Sequence, residues 1–300
     1  MVPHEVAAKE FLKSFAADPV CALDLFDRFG VFSQLCPEML AMKTCVQPKT
    51  WHAEGSVWKH TRLALEALGS KTFAREFCDE RPSLLLVITT LFHDIGKPYT
   101  IKTPKKDKVD RIRFDGHDRV GADIVRTIAE RLRLNSVEGL NVSPDALHWL
   151  IKNHLLLLNS DISRMKNTTI EKYFFRDPML GKTLQQLFVV DDLASRREDG
   201  KTTLTGYRKF KRRLEEFLKT SKPSATKQLP PAILDGYEIM AVAKISPGPH
   251  VGRLSELLRE EQLAARVTSK KEAEKFIRIS AKIVNYDEHS NPGKRSRKKT

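Results

Sequence analysis

The sequence predicts an all-α fold with one small hairpin and a smaller helical domain near the C-terminus. Apolar residues recur at helical spacing through most of the chain, and a single segment alternates as a strand does. A stretch rich in Pro and Ser, SKPSATKQLPP at residues 221–231, interrupts the helical pattern. Because 41% of the 300 residues are apolar, the chain can bury a core, which excludes disorder as its main state.

The predicted elements follow in chain order. The first two helices are predicted over residues 6–16 and 19–29. For the second helix, Asp18 is the expected N-cap before Pro19, and Gly30 is the expected stop. The following stretch, rich in Pro, Cys and Thr, has no regular pattern and is predicted to be irregular over residues 34–55. The hairpin is predicted over 99–114, because Arg-Ile-Arg-Phe alternates at its end and a charged turn lies at 105–108. The remaining predicted helices are 57–68, 82–94, 117–132, 144–157, 168–175, 178–196, 204–218, 234–244, 250–263 and 270–284.

These elements suggest five segments. We expect a neck-like helical segment at residues 1–50, the main helical domain at 51–220, a linker at 221–231 and a helical tail domain at 232–286. The last segment, 287–300, has nothing apolar to bury and is expected to be a basic disordered tail.

The chain has a net charge of +14, and nearly all of this excess lies in the C-terminal third. Residues 201–227 hold nine Lys or Arg against two Glu, and 294–300 hold five against no acid. A basic surface without an amphipathic anchor predicts nucleic acid, such as tRNA, rather than a membrane. For the last seven residues, a purely solubilising role is an equal alternative. The expected nucleic-acid contacts are Arg208, Lys209, Lys211, Arg212 and Arg213.

Other features exclude several classes of protein. The longest mostly apolar stretch, residues 84–92, is far shorter than the roughly 20 residues of a membrane span. The first 30 residues do not resemble a secretion signal. Four cysteines at irregular spacing, with no C-x-x-C pair, argue against a disulfide scaffold and a zinc finger. We therefore expect a soluble, cytoplasmic protein; its oligomeric state is not predicted.

Several histidines and aspartates lie on the apolar faces of predicted helices. His60 shares its face with apolar residues at i+3, i+4 and i+7, and His154 follows apolar residues at i−7, i−4 and i−3. The doublet at 93–94 ends a strongly apolar helix, and Gly96 is expected to permit a sharp turn beside the acid. The inward set is His60, His93, Asp94, His117, His154 and Asp191.

A metal ion explains this set best. One inward histidine is most simply a buried ring that donates to a backbone carbonyl. Inward polar groups on five helices are harder to explain in this way, since each costs several kcal/mol unless it is paired or bound to a metal. Imidazoles and carboxylates without a thiolate favour Mn, Fe, Ni, Co or Mg over structural zinc.

Asp192 is an alternative to its neighbour Asp191 as the last ligand of the set. Asp191 continues the apolar stripe of residues 184, 187 and 188, whereas Asp192 is rotated by about 100° and shares its face with Gln185. We therefore expect Asp191 to point inward and Asp192 to cap the helix or face solvent, although Asp192 remains possible as the ligand.

The order H…HD…H…H…D resembles the HD superfamily of metal-dependent phosphohydrolases, with HDIGK at 93–97 and GHDRVGA at 116–122 as its most specific signals. The resemblance implies an HD-domain helical bundle. It also implies that one metal is bound by His60, His93, Asp94 and Asp191, and that His117 and His154 can complete a site for a second ion.

A longer resemblance connects the chain to the bacterial multifunctional CCA-adding tRNA nucleotidyltransferases. Residues 52–61, HAEGSVWKHT, are similar to the family block H-P-E-G-D-V-W-x-H-T, with a Pro-Glu pair at 37–38 and Gln47 before it. Residues 246–254, SPGPHVGRL, are similar to its P-G-P-x-V-G block, with 268–273 resembling its T-x-E-E-A continuation. The resemblance covers about residues 20–285, which correspond to the neck, HD and tail regions of the family.

The chain departs from that family in two respects. No G-S-x-x-D-x-D-like motif of the nucleotidyltransferase head is present, so autonomous CCA addition is not expected. Ala53 and Ser56 stand where the family usually has Pro and Asp, which places substrate contacts in doubt more than metal binding.

The leading hypothesis is hydrolysis of a phosphoester by metal-activated water. Asp94 is the expected bridging or water-orienting carboxylate. Lys97 is expected to contact the substrate phosphate and assist catalysis, and Arg119 to contact the phosphate; the simpler interpretation of Lys97 is an exposed lysine at a helix end. The resemblance implies 2′,3′-cyclic phosphates, nucleotides or RNA-end phosphoesters as substrates.

Two other functions remain open. The chain could be the tRNA-binding body subunit of a split CCA-adding enzyme, although retention of all six inward residues argues against a purely structural role. It could also be a nucleotide hydrolase or a signalling phosphodiesterase, since the same ligands serve many substrates.

Overall fold

The computed structural model describes residues 4–140, 142–221 and 229–289, and in these residues it has sixteen α-helices. The first eight are α1 His4–Ala17, α2 Pro19–Arg28, α3 Val31–Leu35, α4 Val57–Ala67, α5 Lys71–Glu76, α6 Leu84–Phe92, α7 Lys97–Thr100 and α8 Pro104–Asp107. The others are α9 His117–Arg131, α10 Pro144–Asn153, α11 Asn167–Ile170, α12 Pro178–Ala194, α13 Thr205–Ser221, α14 Gly236–Ala243, α15 Pro249–Leu263 and α16 Lys270–His289. Two 3₁₀ helices, Pro37–Lys43 and Ile162–Arg164, and one π-helical turn, Glu171–Phe175, complete the helical structure of these residues. The prediction of an all-α fold is confirmed.

Capping residues in the sequence account for most helix starts. The side chain of Asp18 accepts hydrogen bonds from the first turn of α2, and Gly30 follows this helix with φ of +68°. Both predictions for α2 are confirmed. Serine hydroxyls accept from the first turn of four further helices, at Ser56, Ser70, Ser83 and Ser143.

The predicted hairpin over residues 99–114 is wrong. Within this segment the structure has α7, α8 and a single antiparallel bridge between Lys102 and Arg113. The charged stretch predicted as a turn lies largely in α8, because the Thr103 hydroxyl caps that helix and Pro104 opens it. Four residues of alternation were too few to specify paired strands.

The sequence pattern also missed the shortest helices. The segment 34–55, predicted to be irregular, contains the 3₁₀ helix Pro37–Lys43, and α3 and α5 were not predicted. Each has seven residues or fewer, which is too short for a period of 3.6 to show above chance.

The chain forms two compact units, the first from residues 1–161 and 177–209 and the second from 162–176 and 210–300. This division differs from the predicted boundary at 220, because 162–176 and 210–220 belong to the second unit. Most of the predicted linker lies outside the described residues. So does the predicted tail, except for residues 287–289, which are the end of α16. The five segments expected from the sequence stay a prediction.

Helix α6 is the centre of the first unit. It packs against α1, α4, α10 and α12, and its residues 86–92 are all buried. A helix that is apolar on every side must be surrounded, and LLLVITTLF is such a sequence. Burial of α6 therefore places the residues that follow it, at 93 and 94, deep inside the unit.

The second unit has its own core. Helices α14, α15 and α16 pack on one another. The buried apolar side chains between them are Leu234, Ile239, Leu254, Leu258, Val267, Ala273, Ile277 and Ala281. No helix in the described part of the chain combines the length and the apolar character needed to cross a bilayer.

Two glycines allow the backbones of α7 and α9 to meet. A Cβ on Gly96 would lie 2.1 Å from the carbonyl oxygen of His117 and 2.6 Å from the nitrogen of Gly121. The φ of Gly96 is −77°, which any residue can adopt, so the turn itself does not require glycine. The expected reason for this glycine was therefore wrong, since close backbone approach is what excludes a side chain.

We predict that Gly96→Ala destabilises the protein by roughly 3 kcal/mol, because backbone atoms on both sides cannot give way. Gly206→Ala is the matched control, since a Cβ at Gly206 meets nothing within 4 Å. Urea unfolding of the full chain measures both variants. Equal stability of the two variants would contradict the close-packing argument.

Candidate metal centre

Six inward side chains converge in the first unit, and the ends of its helices bring them together. His60 lies within α4, whereas His93 and Asp94 directly follow α6. His117 opens α9 and His154 directly follows α10. Asp191 lies near the end of α12. The structure therefore brings together all six residues that the sequence predicted as ligands.

Asp94 lies at the middle of the group and is 1% exposed. Its Oδ2 lies 3.4 Å from Nε2 of His93 and 3.7 Å from Nε2 of His60. Its Oδ1 lies 3.5 Å from Nε2 of His117 and 3.8 Å from Nε2 of His154. The two oxygens of one carboxylate thus face two separate pairs of imidazoles.

Asp191 lies beside the first pair of imidazoles, His60 and His93. Nε2 of His60 is 2.9 Å from Oδ1 of Asp191 and 3.4 Å from Nε2 of His93. His93 Nε2 is 3.8 Å from the same Asp191 oxygen. In the second pair, the Nε2 atoms of His117 and His154 are 3.2 Å apart.

Backbone carbonyls determine which nitrogen of three imidazoles carries the proton. In each ring Nδ1 lies 2.6–2.8 Å from a carbonyl oxygen three residues earlier, and a carbonyl can only accept, so Nδ1 must donate. The neutral ring then presents the lone pair of Nε2 to the centre. These hydrogen bonds join His93 to Thr90, His117 to Phe114 and His154 to Ile151.

The donor atoms fit a divalent cation. Two facing lone pairs at 3.2 Å, on His117 and His154, repel each other unless a positive charge lies near both. Oδ2 of Asp94 is buried with the Lys97 ammonium 2.7 Å away, and none of the imidazoles in the described residues donates a hydrogen bond to it. Among the described residues, ligand atoms within 4.8 Å of one another form three groups. Two of them share Asp94 and are fully buried, His60 with His93 and Asp94, and Asp94 with His117 and His154; the third is His52, Glu54 and His60. Imidazole and carboxylate without thiolate suit Mn, Fe, Co, Ni or Mg.

The surrounding charges keep the carboxylates ionised. Burial by itself would raise the pKa of Asp94, but the Lys97 ammonium and the neighbouring imidazoles reverse this effect and hold it well below its usual range. Burial by itself would lower the pKa of His60, because it disfavours the charged imidazolium. Hydrogen bonds to Asp191 and Glu54 outweigh this effect and raise the pKa of His60 to about 9. Burial and the nearby His117 lower the pKa of His154 to about 4, so this ring is a neutral ligand at pH 7.

Lys97 is not an exposed lysine at a helix end, so this simpler interpretation was wrong. It is 7% exposed, and its Nζ lies 2.7 Å from Oδ2 of Asp94. The ammonium also donates to Oε1 of Gln47 at 2.7 Å and lies 5.5 Å from the centre of the Phe114 ring. Lys97 therefore stands beside the carboxylate at the middle of the site. Arg119, two residues after His117 on α9, is exposed.

Of the neighbours Asp191 and Asp192, Asp191 is the one that lies beside His60 and His93, in agreement with its helix phase. Asp192 is partly exposed, as Asp191 is. Its burial and the neighbouring charge of Asp191 raise the pKa of Asp192 to about 7. The contacts of Asp191 agree with the phase argument, and the expected position of Asp192 stays a prediction.

Sequence reasoning missed Glu54, whose side chain is 2% exposed. Its Oε1 accepts hydrogen bonds from Nδ1 of His52 at 2.7 Å and from Nδ1 of His60 at 2.9 Å. Burial disfavours its charge, but these two hydrogen bonds lower the pKa of Glu54 to about 2. The only available signal was the short H-x-E-G block, since an irregular segment has no period from which an inward face can be inferred.

The basic residues predicted to contact nucleic acid lie on α13. Arg208, Lys209 and Arg212 are exposed, and Lys211 is partly exposed. Arg213 instead donates to the Met165 carbonyl and to Oδ1 of Asn167. Three of the five residues are therefore exposed on α13, and Arg213 has a structural contact.

The first unit is thus all-α and holds two buried groups of His and Asp side chains that share Asp94, an arrangement compatible with binding of divalent metal. The model of the HD domain family matches residues 56–194. This match includes all six inward residues and is compatible with divalent metal binding.

Two relatives extend the similarity beyond this domain. The CC-adding tRNA nucleotidyltransferase of Thermus thermophilus is 29% identical over 279 residues, which are 92% of this chain and 57% of the relative. The A-adding tRNA nucleotidyltransferase of Deinococcus radiodurans is 29% identical over 253 residues, 84% of this chain and 52% of the relative. The resemblance to CCA-adding enzymes is confirmed. The chain spans little more than half the length of these relatives.

We predict that Asp191→Ala loses bound divalent metal, whereas Asp192→Ala retains it. Of these two aspartates, Asp191 is the one that lies within 4 Å of His60 and His93, and its loss should weaken binding by more than the roughly 10–100-fold expected for a supporting residue. Titration of both variants with Mn²⁺ in a calorimeter tests this expectation. Weaker binding by Asp192→Ala than by Asp191→Ala would mean that the assignment is reversed.

Proposed function

We propose that the protein is a metal-dependent phosphohydrolase that acts on 2′,3′-cyclic phosphates, nucleotides or phosphoesters at RNA ends. The observation that carries this proposal is the convergence of four imidazoles on the two oxygens of the buried Asp94. The HD domain over residues 56–194 supports it.

The residues that would hold one ion are His60, His93, Asp94 and Asp191, with His117 and His154 completing a site for a second ion. A divalent metal in such a site lowers the pKa of water and neutralises charge on phosphoryl oxygens. The protein contributes preformed ligands, because carbonyl contacts fix the orientations of three of the imidazoles.

Asp94 is the residue to which we assign the central role. It is ionised and buried, and each of its oxygens faces a different pair of imidazoles. A carboxylate in that position connects the two halves of the site and can accept a proton or a hydrogen bond from attacking water.

Lys97 supplies positive charge at the same place. Its ammonium is held between Asp94 and Gln47, over the face of Phe114. A buried ammonium at this point can attract a phosphoryl oxygen as a point charge. Arg119 is exposed on the helix that His117 opens, from which we propose a weaker contact to the substrate phosphate.

The decisive variant is Asp94→Asn, which keeps the shape of the side chain and removes its charge. We predict that hydrolysis of bis-p-nitrophenyl phosphate and 2′,3′-cyclic AMP falls by roughly 10²–10⁴-fold, and that chelation abolishes the wild-type activity. Asp123→Asn is the control, because Asp123 is exposed and pairs only with His148 among the described residues. Activity that survives both Asp94→Asn and chelation would rule out the metal mechanism.

A second candidate function is binding of tRNA as the body of a split nucleotidyltransferase. The exposed basic residues of α13 favour it, and two relatives bear the name tRNA nucleotidyltransferase. Lysines and arginines on one helix neutralise phosphates without reading the base sequence. This function is compatible with hydrolysis at the metal centre.

We predict that the triple variant Arg208→Glu, Lys209→Glu and Arg212→Glu weakens binding of tRNA. It should also reduce the slope of log affinity against log salt concentration by roughly 0.7–0.9 for each phosphate contact that is lost. Filter binding from low to physiological salt measures both effects. The charge-matched control converts Lys9, Lys105 and Lys106, which are exposed elsewhere. Equal loss in both triple variants would show that net charge, and not α13, governs RNA binding.

A further inference from the structure

The carboxylate of Glu54 accepts hydrogen bonds from several parts of the chain. Its two oxygens accept three hydrogen bonds: Oε1 accepts from Nδ1 of His52 and of His60, and Oε2 accepts from the backbone nitrogen of Arg196 at 3.0 Å. All three donors are N–H groups, so an ionised carboxylate is the group that satisfies them best.

These partners lie on different parts of the fold. His60 belongs to α4, whereas Arg196 follows shortly after the end of α12, which carries Asp191. A further hydrogen bond, from the nitrogen of Ala53 to the Arg196 carbonyl at 2.7 Å, joins the same two segments. Glu54 thus holds together the two elements that supply His60 and Asp191.

The orientation of His60 depends on this carboxylate. The other three imidazoles of the centre donate Nδ1–H to a backbone carbonyl, but His60 donates it to Glu54. With Nδ1–H committed to Glu54, Nε2 of His60 is the nitrogen that faces Asp94 and Asp191. A hydrogen bond from a ligating histidine to a carboxylate fixes the ring and makes it a stronger donor.

We propose that Glu54 is a positioning residue for the metal centre, holding His60 with Nε2 toward the ion. This inference rests on the proposed function, since it assumes that His60 is a metal ligand. In this arrangement Glu54 would support the ion's ligand and would not itself be a ligand, because its Oε1 contacts Nδ1 of His60 whereas Asp191 contacts Nε2 of the same ring. His52 completes the arrangement by packing edge-on against His60, with 4.9 Å between the ring centres.

The test is Glu54→Gln, which preserves the size of the side chain. An amide has one acceptor oxygen and one donor NH₂ group, so it cannot accept from all three N–H donors. We expect affinity for Mn²⁺, measured by calorimetry on the full chain, to fall by roughly 10–100-fold. Glu38→Gln is the matched control, because Glu38 is a partly buried glutamate that pairs with Arg131, and it should leave metal affinity unchanged.

A spectroscopic measurement separates positioning from general loosening of the structure. With Zn²⁺ as a diamagnetic probe, long-range ¹H–¹⁵N NMR of the histidines should show His60 protonated at Nδ1 and ligated at Nε2 in the wild type. In Glu54→Gln this signature should change while those of His117 and His154 remain. Unchanged His60 signals and unchanged Mn²⁺ affinity in Glu54→Gln would overturn the proposal.

The experiment also distinguishes failure of this inference from failure of the proposed function. A wild-type chain that binds neither Mn²⁺ nor Zn²⁺ overturns the metal centre and the role of Glu54 with it. A wild type that binds metal and hydrolyses phosphoesters, together with a Glu54→Gln variant of equal affinity, overturns only the role of Glu54. Equal losses in Glu54→Gln and Glu38→Gln would also count against positioning, because they would indicate a general structural effect.

Discussion

The first unit is organised around one buried carboxylate. An ionised Asp94 inside a protein is costly unless positive or hydrogen-bonding groups surround it. Here His93 and Lys97 are close to Asp94 in sequence, whereas His60, His117 and His154 come from distant parts of the chain. The helices that carry them must therefore pack in one arrangement for the charge to be stabilised, and this arrangement is also the one that can hold metal.

Packing geometry provides this arrangement through two features of the sequence. The fully apolar α6 has to lie at the centre, which carries Asp94 into the interior. The pair of glycines at 96 and 121 then lets α9 approach closely enough for His117 to come within 3.5 Å of Asp94. The hydrophobic core and the polar site are thus parts of a single packing solution.

Much of the site could be predicted because helix periodicity reports which side chains face inward. His60, His154 and Asp191 followed apolar stripes, and all three lie in the centre. Local capping rules likewise placed the start of α2 at Asp18. Prediction failed where no period exists, at the short helices, at the single bridge between Lys102 and Arg113, and at Glu54.

The sequence by itself determined the helical class, the inward faces and the residue types that suit a divalent metal, because these depend on spacing and chemistry along the chain. Only the tertiary structure decided which oxygen of Asp94 faces which imidazoles, and why Gly96 cannot carry a side chain. It also revealed that Glu54 supports His60 and reaches Arg196, 142 residues away. Such contacts join segments that are remote in sequence, and their distances depend on how the whole core packs, which no local pattern encodes.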